Sequence, residues 1–153
     1  MKINSPNPDF RKYVELKISR NKYMQLIGFE LPLIEPGRVE GVLNFRDIHE
    51  QQNGFVHGAV TSALCDMACG FASYTLVNEG EQVFTAEIKV TYLRPGTAQK
   101  IYAHGWVLKP GKNFHFCEAE IFELHNNEKK IIAKASSTMA IVRDSKFKDK
   151  YTE

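Results

Sequence analysis

The stretch Gly58-Ala59-Val60-Thr61-Ser62-Ala63-Leu64-Cys65-Asp66-Met67-Ala68-Cys69-Gly70-Phe71-Ala72-Ser73-Tyr74-Thr75-Leu76-Val77 decides how this chain folds. Within it Val60, Leu64, Met67, Ala68, Phe71 and Thr75 recur at the i, i+4, i+7 and i+11 spacing that gathers side chains on one helical face. The opposite face is almost all small or apolar, so the pattern predicts a long helix over 58–77, buried on most sides. Such a helix needs other elements to cover it.

C-terminal to it the period changes to two. Ala86, Ile88, Val90 and Tyr92 alternate with Thr85, Glu87, Lys89 and Thr91, which predicts a strand ended by Pro95-Gly96. Further strands are expected from Ile101 to Leu108, from Phe114 to Leu124 and from Ile131 to Val142, punctuated by Pro110-Gly111 and by a turn at His125-Asn126-Asn127-Glu128. N-terminal to the helix, residues 47–56 read as a loop, and strands near 27–34 and 38–46 flank a Pro36-Gly37 turn. Phe10, Tyr13, Val14, Lys17, Ile18, Asn21 and Met24 fit one short amphipathic helix over 10–26. The expectation is an α+β domain in which an antiparallel sheet wraps one long helix. It divides the chain into an N-terminal helical segment (1–26), a central domain (27–143) and a charged tail (144–153).

With 153 residues the chain fits one domain, and its 43% hydrophobic and 25% charged residues suit an ordinary globule. A formal net charge of +2 gives no electrostatic reason to expect nucleic-acid binding. The first residues have no apolar signal core, and no apolar run reaches the roughly 18 residues of a membrane span. The expected setting is therefore the cytoplasm. Cys65, Cys69 and Cys117 are odd in number and form no Cys-x-x-Cys pair, which argues against a disulfide framework or a zinc ribbon. Cys65 and Cys69 read as small packing residues, and no metal is expected. His104, His115 and His125 read as surface or sheet residues without partners at useful spacing.

Chemistry concentrates in Gln51-Gln52-Asn53-Gly54-Phe55-Val56-His57-Gly58-Ala59 and in Asp66. The first-turn amides of the helix have no intrahelical acceptor, and the dipole there favours negative charge. A carbonyl oxygen that becomes an oxyanion fits such a place, and Gly58 lets a ligand come close to the backbone. In helical projection Asp66 neighbours Ala59, Ser62, Gly70 and Ser73, all small or polar. An acid on a buried helix is costly unless it is paired, hydrated or working, so Asp66 is the candidate general base or nucleophile. Gly58 and Asp66 are about 12 Å apart along the axis, beyond the reach of one Asp side chain. If both act on one group, they come from different subunits, as two antiparallel helices about a two-fold axis would arrange.

The run His57-Gly58-Ala59-(x)4-Leu64-x-Asp66 resembles the His-Gly-Gly-(x)4-Leu-x-Asp pattern of the PaaI-like and mammalian thioesterase-superfamily enzymes of the hotdog fold. Thr85-Ala86-Glu87-Ile88-Lys89-Val90-Thr91-Tyr92-Leu93-Arg94-Pro95 resembles the strand that follows the helix in those families, and the likeness spans about residues 40–142. The resemblance implies a hotdog fold and hydrolysis of acyl-CoA thioesters by a homodimer or homotetramer with shared sites. Coenzyme A would be part of the substrate, with no separate cofactor. It implies that Gly58 polarises the carbonyl with His57 beside it, and that Asp66 is the catalytic carboxylate, supplied by the partner subunit. Thr85 would help to position water, and Gln51 would stand where many relatives have an Asn six residues before the His. Ala59 replaces the second Gly of the pattern; Ala is a good helix former, its methyl could narrow the pocket, and the departure leaves the acid in place. Asn53 and Gly54 join Ala59 as expected substrate-binding residues. Lys109 and Lys112, beside the Pro110-Gly111 turn, are the candidates to hold the coenzyme A phosphates. Two other readings stay open here: an acyl-thioester hydratase or dehydratase, and a non-catalytic acyl-CoA-binding protein.

Overall fold

The computed structural model describes residues 3–143; the charged tail over 144–153 lies outside the described residues. The N-terminal segment is two helices rather than one, α1 (Phe10–Arg20) and α2 (Lys22–Ile27). Asn21 makes the break. Its backbone leaves the helical region, and its Oδ1 accepts the Met24 amide at 2.9 Å as the cap of α2. Gly28, at φ 73°, then ends α2 in the left-handed conformation that glycine adopts without strain.

Strands β1 (Phe29–Glu35) and β2 (Arg38–Asn44) form a hairpin, followed by α3 (Gly58–Tyr74) and by β3 (Gln82–Tyr92), β4 (Lys100–Pro110), β5 (Phe114–His125) and β6 (Glu128–Val142). The β5–β6 turn places Asn126 and Asn127 at φ 50° and 64°, as a two-residue hairpin turn of mirror-image type requires. The six strands form one sheet in the order β1-β2-β4-β5-β6-β3, every neighbouring pair antiparallel. The sheet curls around α3. This is the hotdog fold.

α3 stops three residues before the expected Val77. The Thr75 hydroxyl donates to the Ala72 carbonyl and accepts the Gly37 amide, each at 2.6 Å, which ties the helix end to the β1–β2 turn. Along α3, Leu64, Cys65, Ala68, Cys69 and Ala72 are fully buried and face Ile101, Ala103 and Ile121 of the sheet, also fully buried. Burying Leu64 alone stabilises by about 1.5–3 kcal/mol. A side chain at Gly105 would place its Cβ 2.4 Å from the Ala68 carbonyl oxygen, so helix and sheet approach this closely only because β4 has glycine there.

β3 departs from strict alternation. Its register against β6 shifts between Thr85 and Glu87, so Ala86 is the extra residue of a bulge. Before the bulge Val83 and Thr85 point toward α3; after it Ile88 and Val90 do, and Glu87 and Lys89 line hollows on the outer face. Unbroken alternation would have put Thr85 outside with Glu87. β3 is also an edge strand, and among the described residues nothing pairs with its other side.

Candidate active site

Asp66 sits half-buried on α3 at the rim of a cavity of about 250 Å³ formed between the helix, β3, Met139 of β6 and Asn21. Thr85 Oγ1 donates to Asp66 Oδ1 at 2.6 Å. The bond ties the carboxylate to β3, and both residues line the cavity. Of the residues expected around Asp66 in projection, Gly70 lines this cavity, and Ser73 turns inward instead. The Ser73 hydroxyl is hydrogen-bonded to His115 Nδ1 at 2.7 Å, both side chains buried. The reading of His115 as partnerless is thus corrected: a β5 residue facing α3 meets a polar partner that sequence spacing cannot reveal. His125 is corrected likewise, since its Nε2 lies 2.7 Å from Oε1 of buried Glu123.

The helix start lies in a second cavity, of about 390 Å³, bordered by Gln51, Phe55, Gly58, Tyr92, Arg94 and Ile132. His57 is the N-cap of α3: its Nδ1 accepts the Ala59 amide at 2.9 Å, so the ring proton is on Nε2. The Thr61 amide bonds back to the His57 carbonyl at 3.1 Å, and the cap takes the Ala59 amide, with no acceptor for the Gly58 N–H among the described residues. Gln51 reaches this cavity, although its Oε1 accepts the Asn53 amide within the turn. Asn53 and Gly54, at the exposed tip of that turn, border neither cavity, and Ala59 is exposed on the free face of α3. Lys109 and Lys112 are exposed at the β4–β5 turn, near the acid's end of the sheet because Pro110 pairs His115 and His115 pairs Met139, which pairs Thr85.

Two features of this region escaped sequence reading. Tyr92 folds back from the end of β3, its hydroxyl donating to the Gly58 carbonyl at 3.2 Å and pairing with the Ser62 hydroxyl. His49 anchors the loop before the helix. It is fully buried, its Nδ1 accepts the Arg46 amide at 2.9 Å, its Nε2 bonds the Ile27 carbonyl at 2.7 Å, and its own carbonyl accepts the His57 amide at 2.8 Å. Burial keeps its pKa below the usual value, so it is a neutral structural group. Polar residues at a loop spacing carry no signal for either contact.

The cysteines are excluded as nucleophiles. Burial pushes the Cys65 thiol up to about 12, with Asp66 adding to the effect, and burial raises Cys117 to about 12 as well. Cys69 is raised further for the same main reason.

Within the chain the acid and the helix start border separate cavities. The comparisons with known proteins bear on this pair of cavities on a hotdog domain. The thioesterase superfamily model matches residues 53–129, half of the chain, and the chain belongs to that family. A thioesterase family protein from Silicibacter pomeroyi superposes with a TM-score of 0.84 at 28% identity, covering 87% of this chain and 98% of its own. A thioesterase from Haemophilus influenzae gives 0.74 at 21% identity, covering 82% and 86%. A Streptococcus mutans protein bound to acetyl-CoA gives 0.66 at 24% identity, covering 74% and 88%. Membership implies thioester hydrolysis in general terms. No helix among the described residues is long and apolar enough to cross a membrane.

Proposed function

We propose that this chain hydrolyses acyl-CoA thioesters in a two-fold dimer, with each site built from Asp66 of one protomer and the helix start of the other. The observation that carries the reading is the Thr85–Asp66 hydrogen bond at the rim of an open cavity, which holds a carboxylate on an otherwise uncharged helix. Asp66 takes a proton from water as the oxygen attacks the thioester carbon. The oxyanion is held by the N–H of the partner subunit's Gly58 at a helix N-terminus. Collapse expels coenzyme A as the thiolate, which is reprotonated, and releases the free acid. No cofactor enters the step.

Geometry supports the shared site. Thr85 and Tyr92 lie at opposite ends of β3, about 20 Å apart, one beside the acid and the other beside the helix start. Antiparallel pairing of two β3 edges would bring the Thr85 end of one copy to the Tyr92 end of the other and would cover the open edge. The acetyl-CoA bound to the Streptococcus mutans relative supports coenzyme A as the thiol, with Lys109 and Lys112 as candidates for its phosphates. Three unpaired thiols suit the reducing cytoplasm.

The test is Asp66→Asn. Thiol release from acyl-CoA should fall by about 10²–10⁴-fold with the circular dichroism spectrum unchanged. A folded variant that turns over at the parent rate would end the mechanism.

A further inference from the structure

Behind Asp66 the cavity follows α3 toward its C-terminal end, past Gly70 and Phe71 to Tyr74, about 12 Å along the axis. Gly70 is its floor: a side chain there would have a Cβ with no atom within 4 Å. Phe71 and Tyr74 form an aromatic wall, ring centroids 6.3 Å apart. The N-terminal segment holds that wall in place. Tyr13 of α1 packs edge-on against Tyr74 at 6.1 Å, and Lys17 lies 5.7 Å from the Tyr74 ring. The Lys17 ammonium and the Tyr74 hydroxyl both bond Gln82 Oε1, at 2.9 and 3.3 Å. Asn21, between α1 and α2, borders the cavity. Both helices lie outside residues 53–129, the portion that matches the family model. This border is therefore built by a part of the chain beyond the matched family portion.

We propose that this cavity is the acyl subsite and that α1 and α2 set its length, so the enzyme takes compact apolar acyl groups, a medium chain or a single aromatic ring, and rejects long chains. The proposal rests on the hydrolytic reading above. Its physical basis is size and lining: about 250 Å³ lies just below the range of drug-sized ligand sites, about 300–1,000 Å³. Apolar acyl carbons gain by leaving water against Phe71 and Tyr74. Met139, flexible and polarisable, fits itself to either shape.

The experiment measures kcat/KM for acetyl-, hexanoyl-, phenylacetyl- and palmitoyl-CoA with the full chain and with two variants. The readout is the ratio between substrates, which does not depend on the fraction of folded enzyme. The parent should favour hexanoyl and phenylacetyl over palmitoyl by about tenfold or more. Gly70→Val, which fills the floor, should lower the hexanoyl-to-acetyl ratio by about tenfold. Asn21→Ser shortens the bordering side chain while keeping a good cap for α2, and should raise the palmitoyl-to-hexanoyl ratio by about threefold or more. Ratios unmoved in both variants, or a parent that prefers palmitoyl, would overturn the assignment. A parent that cleaves no thioester at all would defeat hydrolysis itself, a different result from an unselective hydrolase.

Discussion

His115 is an imidazole buried inside the domain, hydrogen-bonded to the Ser73 hydroxyl at 2.7 Å. Burial lowers its pKa below the ordinary 6.5; Glu81 opposes the shift and Arg143 adds to it. As pH falls through 6.5 the unfolded chain takes up a proton before the folded one does. The stabilisation is therefore complete above that value and is lost as pH drops toward the folded pKa. Urea midpoints should decline between pH 7 and pH 5, and His115→Gln should remove part of the decline, a single group limiting the slope to about 1.4 kcal/mol per pH unit. An unchanged pH profile in the variant would show that the imidazole titrates alike in both states. His49 and His104, also depressed by burial, should contribute to the remainder. At this scale the sequence marked Asp66 by its chemical oddity on an apolar helix. It gave no sign of His49, His115 or Tyr92, whose partners lie 22, 42 and 34 residues away.

Among the elements, α3 was legible because 3.6-residue periodicity is a local property that burial enforces. Its end was not, because Thr75 stops it through the Gly37 amide of another element. β4 shows the same dependence. Gly105 reads as a neutral strand residue until α3 is laid across it. Gly105→Ala must push its methyl into the Ala68 carbonyl or drive the helix off the sheet, at a cost of about 1–3 kcal/mol in urea denaturation. A loss under a few tenths of a kcal/mol would mean that the layers slide freely. The bulge at Ala86 turns Thr85 from the outer face to Asp66. Alternation in the sequence predicted a strand and hid the bulge, because both registers have a polar residue to offer at each face.

For the whole molecule the decisive prediction concerns sharing. Asp66→Ala and Gly58→Val should each be inactive alone, the second by blocking approach to the helix-start amide. Co-expressed with different tags, they should recover about a quarter of the parent rate, since half of the dimers are mixed and each of those has one intact site. Mixed dimers with no recovered activity would place both groups in the same protomer's site. Gly58 is suited to this substitution because a Cβ there meets the Tyr92 ring at 3.5 Å, an ordinary contact.

By itself the sequence determined the α+β layout of an antiparallel sheet wrapped on one long buried helix, the helix-start glycine and the lone acid of that helix, because periodicity, turn residues and an out-of-place carboxylate are local facts; the hotdog fold was implied by the family resemblance. Only the tertiary structure decided where the elements end, which face Thr85 takes, that Asp66 and the helix start border separate cavities, and that Asn21, between α1 and α2, reaches the acid's cavity. Each of these depends on which distant backbone or side chain arrives beside a residue. Hydrophobic burial fixes that for the molecule as a whole, and no window of the sequence contains it.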